Sequence, residues 1–171
     1  MSLCLGLDPG IGRLGYAFVS KEGDTFKAVN FGCIETSPKK NLTERLLDVH
    51  ITLGKMIEEN KPDLLAVEKL FFGRNTTTAE VVYQVRGIIL LNAGLQKIGV
   101  VEPKPTQIKM AICGHGRATK RQVQLMVQRT LGLAKPPTPD DVADALATAI
   151  AGLLLHEFAQ KTGGPIDAPL S

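Results

Sequence analysis

The chain has 171 residues, 44% of them hydrophobic and 22% charged, which is enough for one globular domain with a sizeable core. The N-terminus has no basic segment followed by a long apolar run, and the most apolar stretch, 145–155, is too short to span a bilayer. These features predict a cytoplasmic protein without a membrane segment. Cys4, Cys33 and Cys113 are widely spaced, which predicts buried free thiols and argues against a disulfide framework or a zinc site.

Positive charge is concentrated in one segment, although the net charge is only +3. Residues 103–139 include seven Lys or Arg and no acid. Such a segment indicates a polyanionic partner, with phosphate as the obvious candidate. The alternative is a solvated helical face that happens to lack acids, and charge alone does not separate the two.

The first 70 residues predict mainly strands. Residues 3–8 and 14–20 predict two strands joined by a Pro-Gly turn, and 25–36 predicts a third, so we expect an antiparallel meander. From residue 41 apolar side chains recur at helical spacing as far as Pro62. Residues 63–70 predict a buried strand that Glu68 interrupts.

The remainder predicts mainly helices. The predicted elements are a long apolar helix over 75–99, a short strand at 100–103, helices over 105–113 and 119–131, and a final helix over 138–157. The full order, β-β-β-α-β-α-β-α-α-α, predicts an α/β domain over residues 1–158 whose central five-stranded mixed sheet is flanked by helices. Residues 159–171 are expected to form a flexible C-terminal tail.

Four acids occupy positions that suggest a shared site. Asp8 and Glu68 lie near the ends of predicted strands, and these ends meet at one sheet edge if the strands are parallel neighbours. Asp141 and Asp144 are three apart and share a helical face. Clustered carboxylates repel one another unless a cation neutralises them, and hard divalent ions such as Mg²⁺ or Mn²⁺ do so. Two such ions, about 4 Å apart, can support in-line displacement at a phosphodiester.

Structural explanations remain open for two of these acids. Asp8 precedes a Pro-Gly turn and could serve only to shape it. Asp141 could belong to the helix start, with Thr138 as the N-cap and Pro139 at the first helical position. Glu68 fits a structural role poorly, because it would be a buried unpaired charge in an apolar strand.

Spacing also leaves the choice between two neighbouring acids open. Asp140 lies four residues before Asp144, and Asp141 lies three before it. Either acid could share a helical face with Asp144.

Four segments, in this order, resemble the RuvC family of bacterial Holliday junction resolvases. They are "GLDPG" at 6–10, "VEKLFF" at 67–72, "GHGRATKRQVQLMV" at 114–127 and "DDVADALATAI" at 140–150. The resemblance covers roughly residues 3–157. It implies a ribonuclease H-like fold, a homodimer, and Mg²⁺-dependent nicking of two opposed strands at a four-way DNA junction. Some relatives also work with a branch-migration motor.

The resemblance implies a metal site formed by four acids. Asp8, Glu68, Asp141 and Asp144 match the family's metal-binding residues, and the D-x-x-D spacing matches Asp141 and not Asp140. Some relatives have a histidine at the position of Asp141, so this residue acts as a base or as a ligand. Two Mg²⁺ ions are expected in each site, with Mn²⁺ as a possible substitute. One metal would activate water, and the other would stabilise the leaving 3′ oxygen.

The resemblance also implies DNA contacts. Lys109 and Lys120 match lysines near the scissile strand, and Phe71 matches an aromatic that stacks or wedges at the junction centre. Phe72 departs from the pattern and leaves open which ring makes that contact, and a core position after the strand is an equal alternative for Phe71. Further phosphate contacts are expected from Arg74, Arg117 and Arg121, with Arg86 as an addition unless it faces the core or a dimer interface. The long helix over 75–99 is the predicted dimer interface.

Three other functions compete with this interpretation. Actin-like ATPases and sugar kinases also begin with an Asp-Gly turn, but they need a second lobe for which 171 residues leave no room, so no nucleotide cofactor is expected. A ribonuclease H or another structure-selective nuclease would keep the fold and the acids but act on a different substrate. A non-catalytic junction-binding module would require the acids to be structural, which the position of Glu68 argues against.

Overall fold

Five strands and five helices make up the part of the chain that the computed structural model describes, residues 1–70 and 76–163. They are β1 (Ser2–Asp8), β2 (Arg13–Glu22), β3 (Thr25–Glu35), α1 (Leu42–Asn60), β4 (Leu64–Val67), α2 (Thr76–Leu95), β5 (Gly99–Val101), α3 (Pro105–Cys113), α4 (Lys120–Thr130) and α5 (Asp140–Thr162). The predicted order of elements and the α/β class are confirmed.

The strands form one mixed sheet in the order β3-β2-β1-β4-β5. Strands β1, β2 and β3 pair antiparallel, as the predicted meander requires, whereas β4 pairs parallel with β1 and with β5. Leu7 is level with Val67 in the parallel pair. The residues that follow, Asp8 and Glu68, therefore lie at the same edge of the sheet.

The strand that precedes Glu68 is shorter than predicted. The strand predicted over 63–70 is only Leu64–Val67, and Glu68 is the first residue after it. All four residues of β4 are buried, so the strand ends where the sequence introduces a carboxylate.

The final helix starts later and ends later than predicted. Its N-cap is Pro139, not Thr138, and the amide of Val142 donates to the Pro139 carbonyl. The helix continues to Thr162, until Gly163 ends it in a left-handed conformation. Residues 159–162 are therefore helical and do not begin a flexible tail, while residues 164–171 lie outside the described part.

Helices cover both faces of the sheet and bury two apolar clusters. Helices α1 and α2 pack on one face with Leu5, Leu7 and Phe18, and helices α3, α4 and α5 pack on the other. Within the described residues, α5 is the one helix long and apolar enough to cross a membrane, but 67% of that window is buried inside the protein. Helix α5 is the central core helix of this fold.

Glycines allow α5 to lie directly on the sheet. A Cβ at Gly15 of β2 would clash with the Asp141 carbonyl oxygen, and one at Gly6 of β1 would clash with the Ala145 carbonyl oxygen. Further along α5, Gly152 lies against Ala66 of β4. The helix therefore crosses β2, β1 and β4 in turn, and its N-terminus lies above the edge that carries Asp8.

The cysteines are only partly as predicted. All three are free, and Cys4 is fully buried in β1. Cys33 and Cys113 are half-buried, because Cys33 lies in the edge strand β3 and Cys113 is the last residue of α3. The prediction of buried thiols is therefore wrong for these two residues.

Candidate active site

The four predicted acids come together where α5 begins above the sheet. Asp8 ends β1 and is level with Gly15 of β2, which has no side chain to keep the backbone of Asp141 at a distance. Asp141 and Asp144 lie in the first two turns of α5, and Glu68 follows the neighbouring strand β4. The parallel pairing of β1 with β4 and the seating of α5 thus bring the four acids into one another's electrostatic field.

Mutual repulsion and burial change the ionisation of the two acids on the sheet. The pKa of Asp8 is raised to about 7, chiefly by burial and further by the charges of Asp144, Asp141 and Glu68. Burial also raises the pKa of Glu68, as does Asp144. The raised pKa values of Asp8 and Glu68 show that the positive charge near them does not balance the negative charge of the cluster.

Two basic side chains already neutralise the helical acids from the rim. Lys120 Nζ lies 3.1 Å from Asp144 Oδ2 and 3.1 Å from Asp140 Oδ2. Arg13 Nε, at the start of β2, lies 3.2 Å from Asp141 Oδ2. Burial alone would lower the pKa of Lys120, but its hydrogen bonds to Asp144 and Asp140 raise it above the ordinary value.

The donor set suits a hard divalent cation, because it consists of carboxylate oxygens and carries excess negative charge. In the described residues, no three His, Cys, Asp or Glu side chains converge closely enough to hold one ion. Asp144 and Asp141 instead point to Lys120 and Arg13. Ion binding at this site requires these carboxylates to turn away from their basic partners.

An open cleft of about 290 Å³ leads to the acids. Glu68, Asp144, Lys109 and Lys120 supply its charged groups, and the rest of its lining comes from Pro105, Ile108, Val123, Ala147 and Thr148. Lys109 also opposes the rise in the pKa of Glu68. The two lysines predicted from the sequence therefore line the same cleft as two of the acids.

The remaining predicted DNA contacts fall into two groups. Arg117 lies in the loop before α4, Arg121 is its second residue, and both are exposed near Lys120 in the chain. Phe71, Phe72 and Arg74 lie outside the described residues.

Arg86 is mostly buried, and its guanidinium pairs with groups of the protein itself. Its Nη1 donates to the Glu68 carbonyl oxygen at 3.2 Å, and its Nη2 forms an ion pair with Glu102. Its side chain is only 12% exposed. A backbone hydrogen bond from Lys69 N to Pro103 O, 2.9 Å long, anchors the same segment. Arg86 therefore fixes the backbone that carries Glu68.

The sequence interpretation missed two polar side chains at the rim. Arg13 was not singled out, although it is the first residue of the strand that follows the Asp8 turn. Gln124 was also missed, and its Nε2 donates to Asp140 Oδ1 at 2.9 Å. Its spacing of four residues from Lys120 was the available signal, because both then lie on one face of α4.

Both the sequence and the fold of this chain match those of known proteins. The family model described as "Crossover junction endodeoxyribonuclease RuvC" matches residues 4–152. Proteins with that name from Petrotoga mobilis and Alkaliphilus metalliredigens are 48% and 47% identical, over 85% and 86% of this chain and 89% and 90% of their own. The structure "T. thermophilus RuvC in complex with Holliday junction substrate" is similar with a TM-score of 0.86 and 34% identity, covering 95% of this chain and 97% of that one.

Proposed function

This chain belongs to the RuvC family of crossover junction endodeoxyribonucleases, and from that premise we propose how its own residues cut DNA. The protein is a metal-dependent endonuclease that resolves Holliday junctions, and its fold is ribonuclease H-like. The residue-level proposal rests on one observation. Four acids cluster where the N-terminal end of α5 meets the sheet edge, beside a cleft lined by two lysines.

We assign Asp8, Glu68, Asp141 and Asp144 as the residues that hold the metal, which we propose to be two Mg²⁺ ions that Mn²⁺ can replace. A metal held there would supply a lowered pKa for attacking water and stabilisation of charge on the leaving 3′ oxygen. The raised pKa of Asp8 supports this assignment, because burial is the largest cause of the rise and the rest comes from neighbouring carboxylates whose charge a divalent ion would neutralise. Lys109 and Lys120 then face the scissile phosphate and offset its developing charge.

The cationic segment extends this site into a surface for the junction arms. Arg117 and Arg121 are exposed beside the N-terminus of α4 and would bind phosphates. Such contacts are sensitive to salt, because each releases condensed counterions. We propose a wedge role for Phe71 on the resemblance alone, and a phosphate contact for Arg74 on its positive charge.

A test of the activity uses a synthetic, end-labelled four-way junction and a duplex of matched sequence. We expect paired, symmetric nicks in the junction only, in Mg²⁺ or Mn²⁺, and complete loss of nicking in EDTA. Readdition of metal should restore the nicks. Cleavage of the duplex or of an RNA–DNA hybrid would assign the chemistry to another substrate, and nicking that survives EDTA would remove the metal from the proposal.

We propose that the protein acts as a homodimer through an exposed apolar face of α2. Gly87, Leu90, Leu91, Gly94 and Leu95 recur at helical spacing, and all five are exposed. Leu91 and Leu95 are 51% and 63% exposed. An apolar stripe with two glycines lets a second helix approach closely, and a twofold pair would supply the two active sites that paired nicks require.

Leu91→Glu is expected to weaken dimerisation at least about a hundredfold, because two carboxylates would be buried unpaired at the twofold interface. Sedimentation equilibrium measures the change. Val29→Glu is the matched control, since Val29 of β3 is 53% exposed and lies away from α2. If both variants stay dimeric, α2 is not the interface. If both become monomeric, the effect is not specific to α2.

Three wider assignments follow the same resemblance. We propose that the nuclease domain predicted over residues 1–158 extends to Thr162 at the end of α5, that the protein acts in the cytoplasm, and that it cooperates with a branch-migration motor. The family match over residues 4–152 supports the first of these.

A further inference from the structure

Asp140 is an acid at the rim of the site to which the family resemblance gives no role. It is the first residue of α5, and its side chain is 64% exposed. Each of its carboxylate oxygens has its own partner on α4. Oδ2 lies 3.1 Å from Lys120 Nζ, and Oδ1 accepts a hydrogen bond of 2.9 Å from Gln124 Nε2. Asp140 therefore holds one face of α4 at two points.

Lys120 is shared equally between Asp140 and Asp144. Its ammonium lies 3.1 Å from a carboxylate oxygen of each. Of these two acids, Asp144 is one of the four assigned to the metal, and Asp140 is not. An ammonium and a divalent cation repel each other and compete for the same carboxylate, so Lys120 opposes metal binding wherever it stays on Asp144.

We propose that Asp140 is a positioning residue that retains Lys120 when Asp144 turns to a metal ion. The inference rests on the proposed function, in which Asp144 is a metal ligand and Lys120 faces the scissile phosphate. With Asp140 present, Lys120 keeps an ion pair after it leaves Asp144 and stays at the mouth of the cleft. Asp140 thereby favours metal binding without touching the metal.

The proposal predicts that the effect of Asp140→Asn on metal binding depends on Lys120. Simple attraction between the Asp140 carboxylate and the metal predicts no such dependence. Asp140→Asn removes the charge, and its side-chain oxygen can still accept from Gln124. Lys120 is then left with Asp144 alone and competes fully with the metal. If Asp140 acted only through long-range attraction, its loss would weaken metal binding just as much in a protein without Lys120, where no competing ammonium exists.

The test measures Mn²⁺ binding in the absence of DNA, by electron paramagnetic resonance of the free ion. The four proteins are the wild type, Asp140→Asn, Lys120→Gln and the double variant. We expect Asp140→Asn to weaken Mn²⁺ binding about two- to fivefold, the range of a partly exposed ion pair. In the Lys120→Gln background the same substitution should have no effect. Asp140→Glu, which keeps the charge, should restore binding.

Two further variants separate this proposal from the metal assignment itself. Asp48→Asn is the matched control, because Asp48 is an α1 acid paired with Lys40 at 2.6 Å on the opposite face of the sheet, and it should leave Mn²⁺ binding unchanged. Asp144→Asn should strongly weaken binding in every background. The positioning role is wrong if Asp144→Asn weakens Mn²⁺ binding and Asp140→Asn does not. It is also wrong if Asp140→Asn weakens Mn²⁺ binding equally with and without Lys120. If Asp144→Asn changes nothing, the metal assignment fails as well.

Discussion

Asp8→Asn is expected to abolish junction cleavage while the protein stays folded and still binds the junction. Asp8 lies between the other acids at the tip of β1, and burial with three neighbouring charges raises its pKa to about 7. An amide keeps the shape but removes the negative charge with which Asp8 would help to hold the metal. The loss should exceed about a thousandfold, since metal stabilisation of the transition state is worth several kcal/mol. Single-turnover cleavage and junction binding in Ca²⁺ measure the two effects separately.

The same variant should be more stable than the wild type when metal is absent. The folded pKa of Asp8, about 7, lies above its ordinary value of 3.8, so ionisation of Asp8 destabilises the fold. The destabilisation grows as pH rises from about 4 to about 7 and persists above that range. The full shift corresponds to about 4 kcal/mol, which we discount to about 2 kcal/mol for partial access to solvent.

Urea unfolding in EDTA tests this prediction at two pH values. At pH 8 Asp8→Asn should unfold at higher urea than the wild type, and near pH 4 the two curves should coincide. A variant that is both more stable and inactive would show that the charge of Asp8 destabilises the fold but is needed for cleavage. Equal stability at pH 8 would show that Asp8 is not held in a repulsive cluster.

Gly15→Ala is expected to damage stability and cleavage together, although Gly15 carries no chemistry. A methyl group at this position would overlap the Asp141 carbonyl oxygen, which is backbone and cannot move without α5. Overpacking of this kind costs about 1–3 kcal/mol. The displaced helix start would carry Asp141 away from Asp8, the residue level with Gly15 on β1. We expect a fall in the melting temperature and at least about a hundredfold loss of cleavage, because small misplacements at a site are costly.

Gly99→Ala is the matched control for this substitution. Gly99 also lies in the sheet, at the start of β5, but an added Cβ there would meet no atom within 4 Å. It should leave both the melting temperature and the cleavage rate near those of the wild type. Normal activity of Gly15→Ala would contradict the close seating of α5 on β2.

The structure brings together the four acids named from the sequence, because their positions follow from local patterns. Asp8 could be placed at a strand tip because an apolar run precedes it and a Pro-Gly turn follows it. Glu68 was expected within a strand but follows β4, since the residue type alone does not show where a buried strand stops. The parallel pairing of β1 and β4 was a hypothesis until the register showed Leu7 level with Val67.

The rim of the site could not be predicted, because its ion pairs and hydrogen bonds join residues that are distant in the chain. Lys120 and Asp140 are 20 residues apart across a proline-rich connector, and no periodicity relates them. Gly15 carries no side-chain signal, and its importance depends on which helix lies above it. Arg86 was ambiguous on a helix that is apolar on most sides, and only packing shows that it anchors Glu68.

The order of the elements along the chain also matters while the protein is being synthesised. Asp8 and Glu68 leave the ribosome early, whereas Asp141 and Asp144 are on α5, the last helix of the described residues. A product that stops before α5 holds at most two of the four acids and lacks the helix that covers one face of the sheet. Under the proposed metal assignment, nuclease competence therefore requires that α5 has been made, and we expect products that stop before α5 to be unable to nick DNA.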